Sequence, residues 1–240
     1  MEHLDSQQIH LWLAFLDEIT DPRLLAAYRL LLSREELQQQ QRFYFERDRH
    51  RYLVTRAMVR TVLSQYAEVQ PREWRFAVGE YGKPSIAAKH VSARGIEFNV
   101  SHTDGLVVMG VACGRAIGVD VENVKTQRAA LEIADRFFAR EEVEALRALP
   151  PQEQPRKFFE YWTLKEAYIK ARGLGLAIPL DRFWFGLSGA MRVTLNLDAI
   201  EDDRSERWRF WQPTLSSSCL AAVCAEDCDE SMRVVTRTIS

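Results

Sequence analysis

The sequence has few cysteines, little net charge and no long hydrophobic run, and each of these absences excludes a class of protein. Its 240 residues include four cysteines, too few for a disulfide-based scaffold, and none lies in a CxxC pair typical of zinc sites. The 32 basic and 34 acidic residues leave a formal charge of −2, which provides no overall field to attract nucleic acid. No apolar stretch approaches the roughly 18 residues that cross a membrane. We therefore expect no binding to nucleic acid or membrane.

The first residues do not resemble a secretory signal peptide. The apolar stretch 9–16 is short, contains His10 and follows acidic rather than basic residues. It predicts a buried strand instead. Together with cysteines expected to be reduced thiols, this predicts a cytoplasmic protein.

Hydrophobic periodicity predicts a mixture of helices and strands. Helices are expected at 22–32, 33 to about 66 with a break, 128–148 and 156–172. Strands are expected at 9–16, 73–78, 96–101, 106–112, 117–121, 183–187, 191–196, 207–212, 219–224 and 232–235. The segments Arg42-Phe43-Tyr44 and Arg136-Phe137-Phe138 each precede further helical sequence and then strands. This repetition indicates either a duplicated α/β unit or a chance similarity.

The most informative segment is Ile117-Gly118-Val119-Asp120-Val121-Glu122. Side chains two apart on a strand share a face, so Gly118, Asp120 and Glu122 would lie together. Two carboxylates roughly 7 Å apart repel each other unless a cation lies between them. Mg²⁺ prefers oxygen ligands and leaves positions open for phosphate oxygens. The alternative is an edge strand with two solvated acids.

A second informative segment is the helix at 156–172. At about 100° per residue, Glu166 lies on the face that carries Phe159 and Trp162. A carboxylate on an aromatic face is costly without a partner, and Lys170 lies one turn further on. The two residues belong to a functional site, or they form an ordinary helical ion pair worth about 0.2–0.5 kcal/mol.

Two further segments carry groups that suit a phosphate. Ser101 and His102 lie at the end of a predicted strand, where adjacent side chains point to opposite faces and so do not form a nucleophile pair. The turn Gly82-Lys83-Pro84 lets backbone amides approach an anion, and the lysine adds charge. Each segment is equally compatible with an ordinary strand end or surface turn.

Taken together, these segments resemble the 4′-phosphopantetheinyl transferases, specifically the longer single-chain Sfp type. The resemblance covers residues 42 to 224, and its motifs are Arg42-Phe43-Tyr44 through His50-Arg51, Tyr81-Gly82-Lys83-Pro84, Phe98-Asn99-Val100-Ser101-His102, Gly118-Val119-Asp120-Val121-Glu122 and Trp162-Thr163-x-Lys165-Glu166-Ala167-Tyr168-x-Lys170. It implies an α+β fold of two similar α/β subdomains related by pseudo-twofold symmetry. Residues 1–115 would form the N-terminal half and residues 116–240 the C-terminal half of a monomer.

The resemblance also implies a reaction and a set of site residues. The reaction transfers 4′-phosphopantetheine from coenzyme A to a serine of an apo acyl or peptidyl carrier protein, releases 3′,5′-ADP and requires Mg²⁺. The implied roles are metal ligation by Asp120, Glu122 and Glu166, catalysis by Glu166 and Lys170, and coenzyme A binding by Arg51, Lys83, Ser101, His102, Asp120 and Lys170. Glu166 would accept the serine proton directly or through a water molecule. We expect the acidic carrier to dock on the C-terminal half through Arg156, Lys157, Arg172 and Arg182.

The sequence departs from the resembled family at one point. Where family members often have lysines that bind the 3′-phosphate, this chain has Glu36 and Gln39, and Arg47 or Arg51 would be the substitutes. The identity of the carrier, among fatty-acid, polyketide and non-ribosomal peptide pathways, is left open, as is tolerance for acyl-coenzyme A. Two rival functions are a Mg²⁺-dependent hydrolase of nucleotide diphosphates and a non-catalytic binding protein.

Overall fold

The computed structural model describes residues 4–125, 131–188, 192–197, 200, 203–226, 229 and 231–239. The first half contains β1 (Gln8–Phe15), α1 (Pro22–Leu31), α2 (Arg34–Arg42), α3 (Glu46–Tyr66), β2 (Phe76–Val78), β3 (Pro84–Ile86), β4 (Ile96–Thr103) and β5 (Leu106–Cys113). The second half contains β6 (Ile117–Asn123), α4 (Leu131–Phe137), α5 (Arg140–Arg147), α6 (Gln154–Arg172), β7 (Trp184–Ser188), β8 (Arg192–Asn196), β9 (Trp208–Trp211) and β10 (Cys219–Glu226), and β11 (Arg233–Thr238) follows.

The two halves have the same topology. Each runs through a strand, three helices, a two-stranded hairpin and two further strands. The first sheet contains the antiparallel order β1-β5-β4, and the second sheet has the matching antiparallel order β6-β10-β9. The prediction of two similar α/β subdomains is therefore confirmed, and the repeated sequence pattern reflects a duplicated unit rather than chance.

The last strand crosses back to the first half. β11 pairs in parallel with β1 and completes the four-stranded sheet β11-β1-β5-β4. β11 thus follows the second half in sequence but belongs to the sheet of the first half. The predicted boundary between residues 115 and 116 stays a prediction.

Local signals explain where the helices begin and end. The Asp21 side chain caps α1, which opens at Pro22. A capping box begins α2, because Ser33 accepts from the Glu36 amide while Glu36 accepts from the Ser33 amide. Gly173 ends α6 with φ of 68°, a left-handed conformation that favours glycine.

The structure differs from the predicted elements in several places: β3 was not predicted, and β11 extends beyond the predicted 232–235. The strand expected at 73–78 begins only at Phe76, because Pro71–Glu73 form a turn of 3₁₀ helix. The helix expected at 128–148 is divided into α4 and α5 by the extended residue Ala139, and residues 128–130 lie outside the described part of the chain. Among the described helices, none combines the length and hydrophobicity of a membrane crossing.

Three apolar clusters form the core. One packs the helices of the first half against its sheet, and another surrounds α6 in the second half. The third lies between the two sheets and contains Ile117, Val119 and Val121 of β6. Because side chains alternate along a strand, this leaves Gly118 and the two acids of β6 on the opposite face, towards α6.

Candidate active site

β6 lies against α6 at a point where only a glycine fits. A Cβ atom on Gly118 would lie 2.0 Å from the carbonyl oxygen of Ala167 and 2.4 Å from the amide nitrogen of Ala171. Both atoms belong to the backbone and cannot rotate away. Since Asp120 and Glu122 follow on the same face, the glycine brings both carboxylates up to the helix.

Lys170 of α6 meets Asp120 of β6. The Lys170 Nζ atom lies 2.6 Å from Asp120 Oδ1 and 3.0 Å from Ser101 Oγ. The Ser101 hydroxyl donates to the same Asp120 oxygen at 2.8 Å. A charge-assisted network of three side chains from β4, β6 and α6 therefore joins the two halves.

The other two predicted acids lie beside this network. Burial, followed by the charge of Asp120, raises the pKa of Glu122 to about 7, while a hydrogen bond from Trp162 opposes that shift. Burial and then the charge of Asp120 also raise the pKa of Glu166. These mutual effects show that the three carboxylates share one region of the molecule.

The donor chemistry of this region fits a hard divalent cation. Asp120 Oδ2 and Glu122 Oε2 are buried and have no hydrogen-bond partner among the described residues. A cation between them would relieve their repulsion. Within the described residues, no three histidine, cysteine, aspartate or glutamate side chains are grouped closely enough to hold a metal as they stand. The assignment of Asp120, Glu122 and Glu166 as metal ligands therefore stays a prediction.

A cavity of about 300 Å³ opens beside these residues. Glu166 and Lys170 line it, together with Lys83 and the turn 81–84. The Lys83 Nζ atom donates to the carbonyl oxygens of Ile117 at 3.0 Å and Ala171 at 3.2 Å, and burial lowers its pKa. Lys83 thus bridges β6 and α6 at the cavity wall, and its expected contact with a coenzyme A phosphate stays a prediction.

His102 lies further along β4, and Arg51 lies on α3. His102 points away from Ser101 and remains exposed, as the alternation of a strand requires. Loss of hydration, followed by the positive charges of Arg51 and Lys170, lowers the pKa of His102. Arg51 pairs with Asp48 at 2.8 Å and lines a second cavity, of about 530 Å³.

Two family models match this chain and together cover most of its length. A model described as the 4′-phosphopantetheinyl transferase superfamily matches residues 116–224, and one described as the N-terminal part of 4′-phosphopantetheinyl transferase matches residues 20–114. The chain is 37% identical over 218 residues to the 4′-phosphopantetheinyl transferase HetI of Nostoc sp., covering 91% of this chain and 87% of that protein.

This chain belongs to the 4′-phosphopantetheinyl transferase superfamily.

A second relative agrees. The 4′-phosphopantetheinyl transferase Sfp of Bacillus subtilis is 36% identical over 166 residues, which cover 69% of this chain and 71% of Sfp. The solved structure of the holo-[acyl-carrier-protein] synthase of Thermotoga maritima matches 48% of this chain and 64% of its own, with 17% identity and a TM-score of 0.38. That similarity is too low to support a conclusion, so the fold rests on the topology described above. The resemblance predicted from the sequence motifs is confirmed, and the protein is an enzyme.

The transferase contains a buried ion pair that the sequence motifs did not reveal. Lys165 precedes Glu166 in the motif but points to the opposite side of α6. Its Nζ atom lies 2.8 Å from Glu142 Oε2 and 2.7 Å from the carbonyl oxygens of Leu180 and Phe183. Both charged side chains are fully buried, so Lys165 is part of the scaffold beneath the site.

One of the predicted carrier contacts is wrong. Arg172 donates to Asp203 Oδ2 at 2.7 Å and to the Tyr168 hydroxyl at 2.9 Å, and its side chain is only 9% exposed. Asp203 also accepts from Tyr168 and Trp208. Arg172 therefore links the end of α6 to Asp203, and its charge is not exposed for contact with a carrier.

The other predicted carrier contacts lie on the surface. Arg156 and Lys157 both pair with Glu160, at 3.4 and 2.7 Å, and Arg182 is exposed. Their role in docking stays a prediction.

The acid that replaces the expected basic residue in α2 has a structural partner. Glu36 accepts from Arg60 at 2.8 Å and also pairs with Arg56. Arg60 is 2% exposed and donates to the carbonyl oxygens of Pro71 and Trp74. Glu36 thus neutralises a buried guanidinium, and this accounts for an acid at a position where the family often has a lysine.

Proposed function

We propose that this enzyme transfers the 4′-phosphopantetheine group of coenzyme A to a serine hydroxyl of an apo acyl or peptidyl carrier protein, with release of 3′,5′-ADP and a requirement for Mg²⁺. Membership of the transferase superfamily supports the reaction class. The observation that supports the metal requirement is a pair of buried carboxylate oxygens, Asp120 Oδ2 and Glu122 Oε2, to which no described residue donates a hydrogen bond. They lie beside Lys170 and Glu166.

The residues of the chain suggest the following roles. The carrier serine oxygen attacks the phosphorus that bears pantetheine, the bond from that phosphorus to the bridging oxygen breaks, and the electron pair leaves with 3′,5′-ADP. Glu166 at the cavity wall accepts the serine proton, directly or through a water molecule. Lys170, on the same wall, donates to the phosphate oxygens as charge develops there.

Asp120, Glu122 and Glu166 would hold the divalent cation. When bound, it neutralises charge on the diphosphate. Ser101 and Lys170 both bind Asp120 Oδ1, and Oδ2 accepts no hydrogen bond from the described residues. We expect Lys83 at the 300 Å³ cavity, Arg51 at the second cavity and His102 on the exposed face of β4 to contribute positive charge or hydrogen bonds to coenzyme A.

The reaction is tested by mass spectrometry of apo carriers from fatty-acid, polyketide and non-ribosomal peptide pathways. Incubation with the enzyme, coenzyme A and Mg²⁺ should add one phosphopantetheine to at least one of them and release an equal amount of 3′,5′-ADP. Free phosphopantetheine in a sample without carrier would instead identify a hydrolase. No product in either sample would support a binding protein.

The metal requirement is tested by Asp120→Asn, which keeps the size of the side chain and removes its charge. We expect carrier loading to fall by at least a hundredfold at saturating Mg²⁺. The matched control is Asp135→Asn, because Asp135 lies in an exposed pair with Arg147. Loading by Asp120→Asn at the rate of the control would remove this carboxylate from the proposed metal site.

A further inference from the structure

Within the described residues, one edge of β6 makes no backbone ladder to β4 of the other half. The even-numbered positions bond to the β10 side: just outside β6, the Val124 amide donates to the Ser218 carbonyl, and the Ala116 carbonyl accepts from the Glu226 amide. Backbone groups of successive residues point to opposite edges of a strand. The odd-numbered amides of β6 therefore face β4, the edge strand of the first sheet that lies beside β6.

Side chains of β4 take the place of that missing ladder. Asn99 Oδ1 accepts from the Val119 amide at 2.9 Å, and Thr103 Oγ1 accepts from the Asn123 amide at 3.0 Å. Asn99 and Thr103 are each 4% exposed. An amide shielded from water is costly without a partner, and these two bonds supply partners from β4 to two amides of β6.

The two bonds bracket the acidic part of β6. Val119 precedes Asp120, and Asn123 follows Glu122. Ser101 lies between Asn99 and Thr103 on the same face of β4, and it donates to Asp120 Oδ1 at 2.8 Å. Three alternate side chains of one strand thus contact successive points on the strand that carries both carboxylates.

We propose that Asn99 and Thr103 are positioning residues that hold Asp120 and Glu122 in register with Ser101 and Lys170, and that this register sets the affinity of the site for a divalent cation. The inference rests on the proposed function for its metal. Thr103 is the sharper test of the two, because Asn99 lines the 300 Å³ cavity and Thr103 lines neither of the cavities described above.

The test compares Thr103→Val with Thr103→Ser. Valine has the shape of threonine but no oxygen to accept from the Asn123 amide, whereas serine keeps that oxygen. The probe is Mn²⁺, titrated into the protein with saturating coenzyme A and no carrier. Free Mn²⁺ is followed by electron paramagnetic resonance, and a titration of coenzyme A alone is subtracted. We expect Thr103→Val to weaken Mn²⁺ binding by roughly tenfold or more, as loss of a supporting group around metal ligands does, and Thr103→Ser to bind as the wild type does.

A second threonine controls for general loss of stability. The Thr61 hydroxyl donates to the Ala57 carbonyl oxygen within α3 at 2.9 Å, away from β6. Thr61→Val should leave Mn²⁺ affinity unchanged. In carrier-loading assays, Thr103→Val should need a higher Mg²⁺ concentration for half-maximal rate, while its rate at saturating Mg²⁺ stays within about threefold of wild type.

The outcomes separate the two proposals. If the wild type binds Mn²⁺ and Thr103→Val binds it equally well, the positioning role is wrong, even if the variant unfolds at a lower temperature. Weakened binding in Thr61→Val to the same extent would also overturn it. If the wild type itself shows no protein-dependent Mn²⁺ binding and loads carriers without a divalent ion, the proposed metal requirement is wrong instead.

Discussion

Each half of the molecule has a glutamate near the start of its middle helix that is buried against the long helix which follows. In the first half this is Glu36 at the third position of α2, and in the second half it is Glu142 at the third position of α5. Each carboxylate accepts from the backbone amide that precedes its helix. Each also pairs with a buried cation of the long helix, Arg60 of α3 or Lys165 of α6.

The two cations make the same kind of further contact. Arg60 donates to the carbonyl oxygens of Pro71 and Trp74, and Lys165 donates to those of Leu180 and Phe183. In both halves the acceptors lie between the long helix and the strands that follow it. Both copies of the duplicated unit therefore contain a buried ion pair that joins two helices to the segment after the long helix.

The two halves differ in the acidic residues of their first strands, β1 and β6, which occupy matching positions in the two sheets. β1 contains no acidic residue, and most of it is buried apolar sequence. β6 occupies the equivalent place in its sheet and carries Asp120 and Glu122 on the face towards α6. Lys165 is adjacent to Glu166 in the motif but belongs to the duplicated scaffold. Lys170 belongs to the site that is found in the second half.

The largest expected effect comes from removing the buried cation of the second half. Lys165→Met should lower the free energy of unfolding by about 3–5 kcal/mol, because it leaves the buried carboxylate of Glu142 without its charged partner. Arg60→Met should lower it by less, because Arg56 still pairs with Glu36. Urea denaturation of the purified variants measures the loss. The double variant Lys165→Met/Glu142→Met should recover part of it, since it removes the uncompensated charge.

The exposed pair Arg140–Glu144 provides the control, and Arg140→Met should leave the urea midpoint unchanged. A variant Lys165→Met that unfolds like the wild type but transfers nothing would contradict the comparison and place Lys165 in the chemistry.

The next largest effect is on catalysis, and it distinguishes Lys170 from Lys165 of the same motif. Lys170→Met should lower kcat for carrier loading by about 10²–10³, as loss of a donor to developing charge does. Its effect on stability should be smaller than that of Lys165→Met, because the Lys170 side chain is 27% exposed and Ser101 still donates to Asp120. Turnover at saturating coenzyme A and carrier, together with the urea midpoint, measures both quantities. Equal losses of stability in the two lysine variants would remove the distinction.

The close contact between β6 and α6 gives a third prediction. Gly118→Ala places a methyl group against backbone atoms of Ala167 and Ala171, so strand and helix must separate. A displacement of about 1 Å at reacting groups lowers the rate on the order of a hundredfold, and we expect a loss of that size in carrier loading.

Gly79→Ala is the matched control, because the nearest atom to its new methyl group would lie at 3.5 Å, an ordinary contact. A Gly118→Ala enzyme with wild-type turnover would show that the approach of the helix does not determine activity.

Much of the fold and the candidate site follows from local patterns in the sequence. The alternation of β6 predicted which face carries Asp120 and Glu122, and the periodicity of α6 put Glu166 and Lys170 on one side of that helix. The capping box at Ser33 and the left-handed Gly173 that ends α6 likewise involve only neighbouring residues. Such features depend on residues within one or two turns, so a single sequence contains them.

Contacts between distant segments were not predictable in the same way. The partner of Lys165 lies 23 positions earlier, at Glu142, and nothing local in either segment pairs them. The bond between Thr103 and the Asn123 amide depends on how two sheets lie side by side. Arg172 was expected at a docking surface because the carrier is acidic, yet its side chain is mostly buried against Asp203. In each case the outcome depends on tertiary packing.

The smallest effect concerns a difference between the two middle helices. Ser33 caps α2 with its hydroxyl, whereas the equivalent position before α5 is Ala139, which has no side-chain oxygen. Ser33→Ala should lower the free energy of unfolding by about 1 kcal/mol. Ala139→Ser should raise it by a few tenths of a kcal/mol up to about 1, because Ala139 already has the extended backbone of a capping residue, with φ of −65° and ψ of 153°. Urea denaturation measures the change in the free energy of unfolding of both variants. A loss of stability in Ala139→Ser would mean that the buried surroundings of Ala139, which is 4% exposed, do not admit a hydroxyl, and that the second half could not have kept the serine cap of the first.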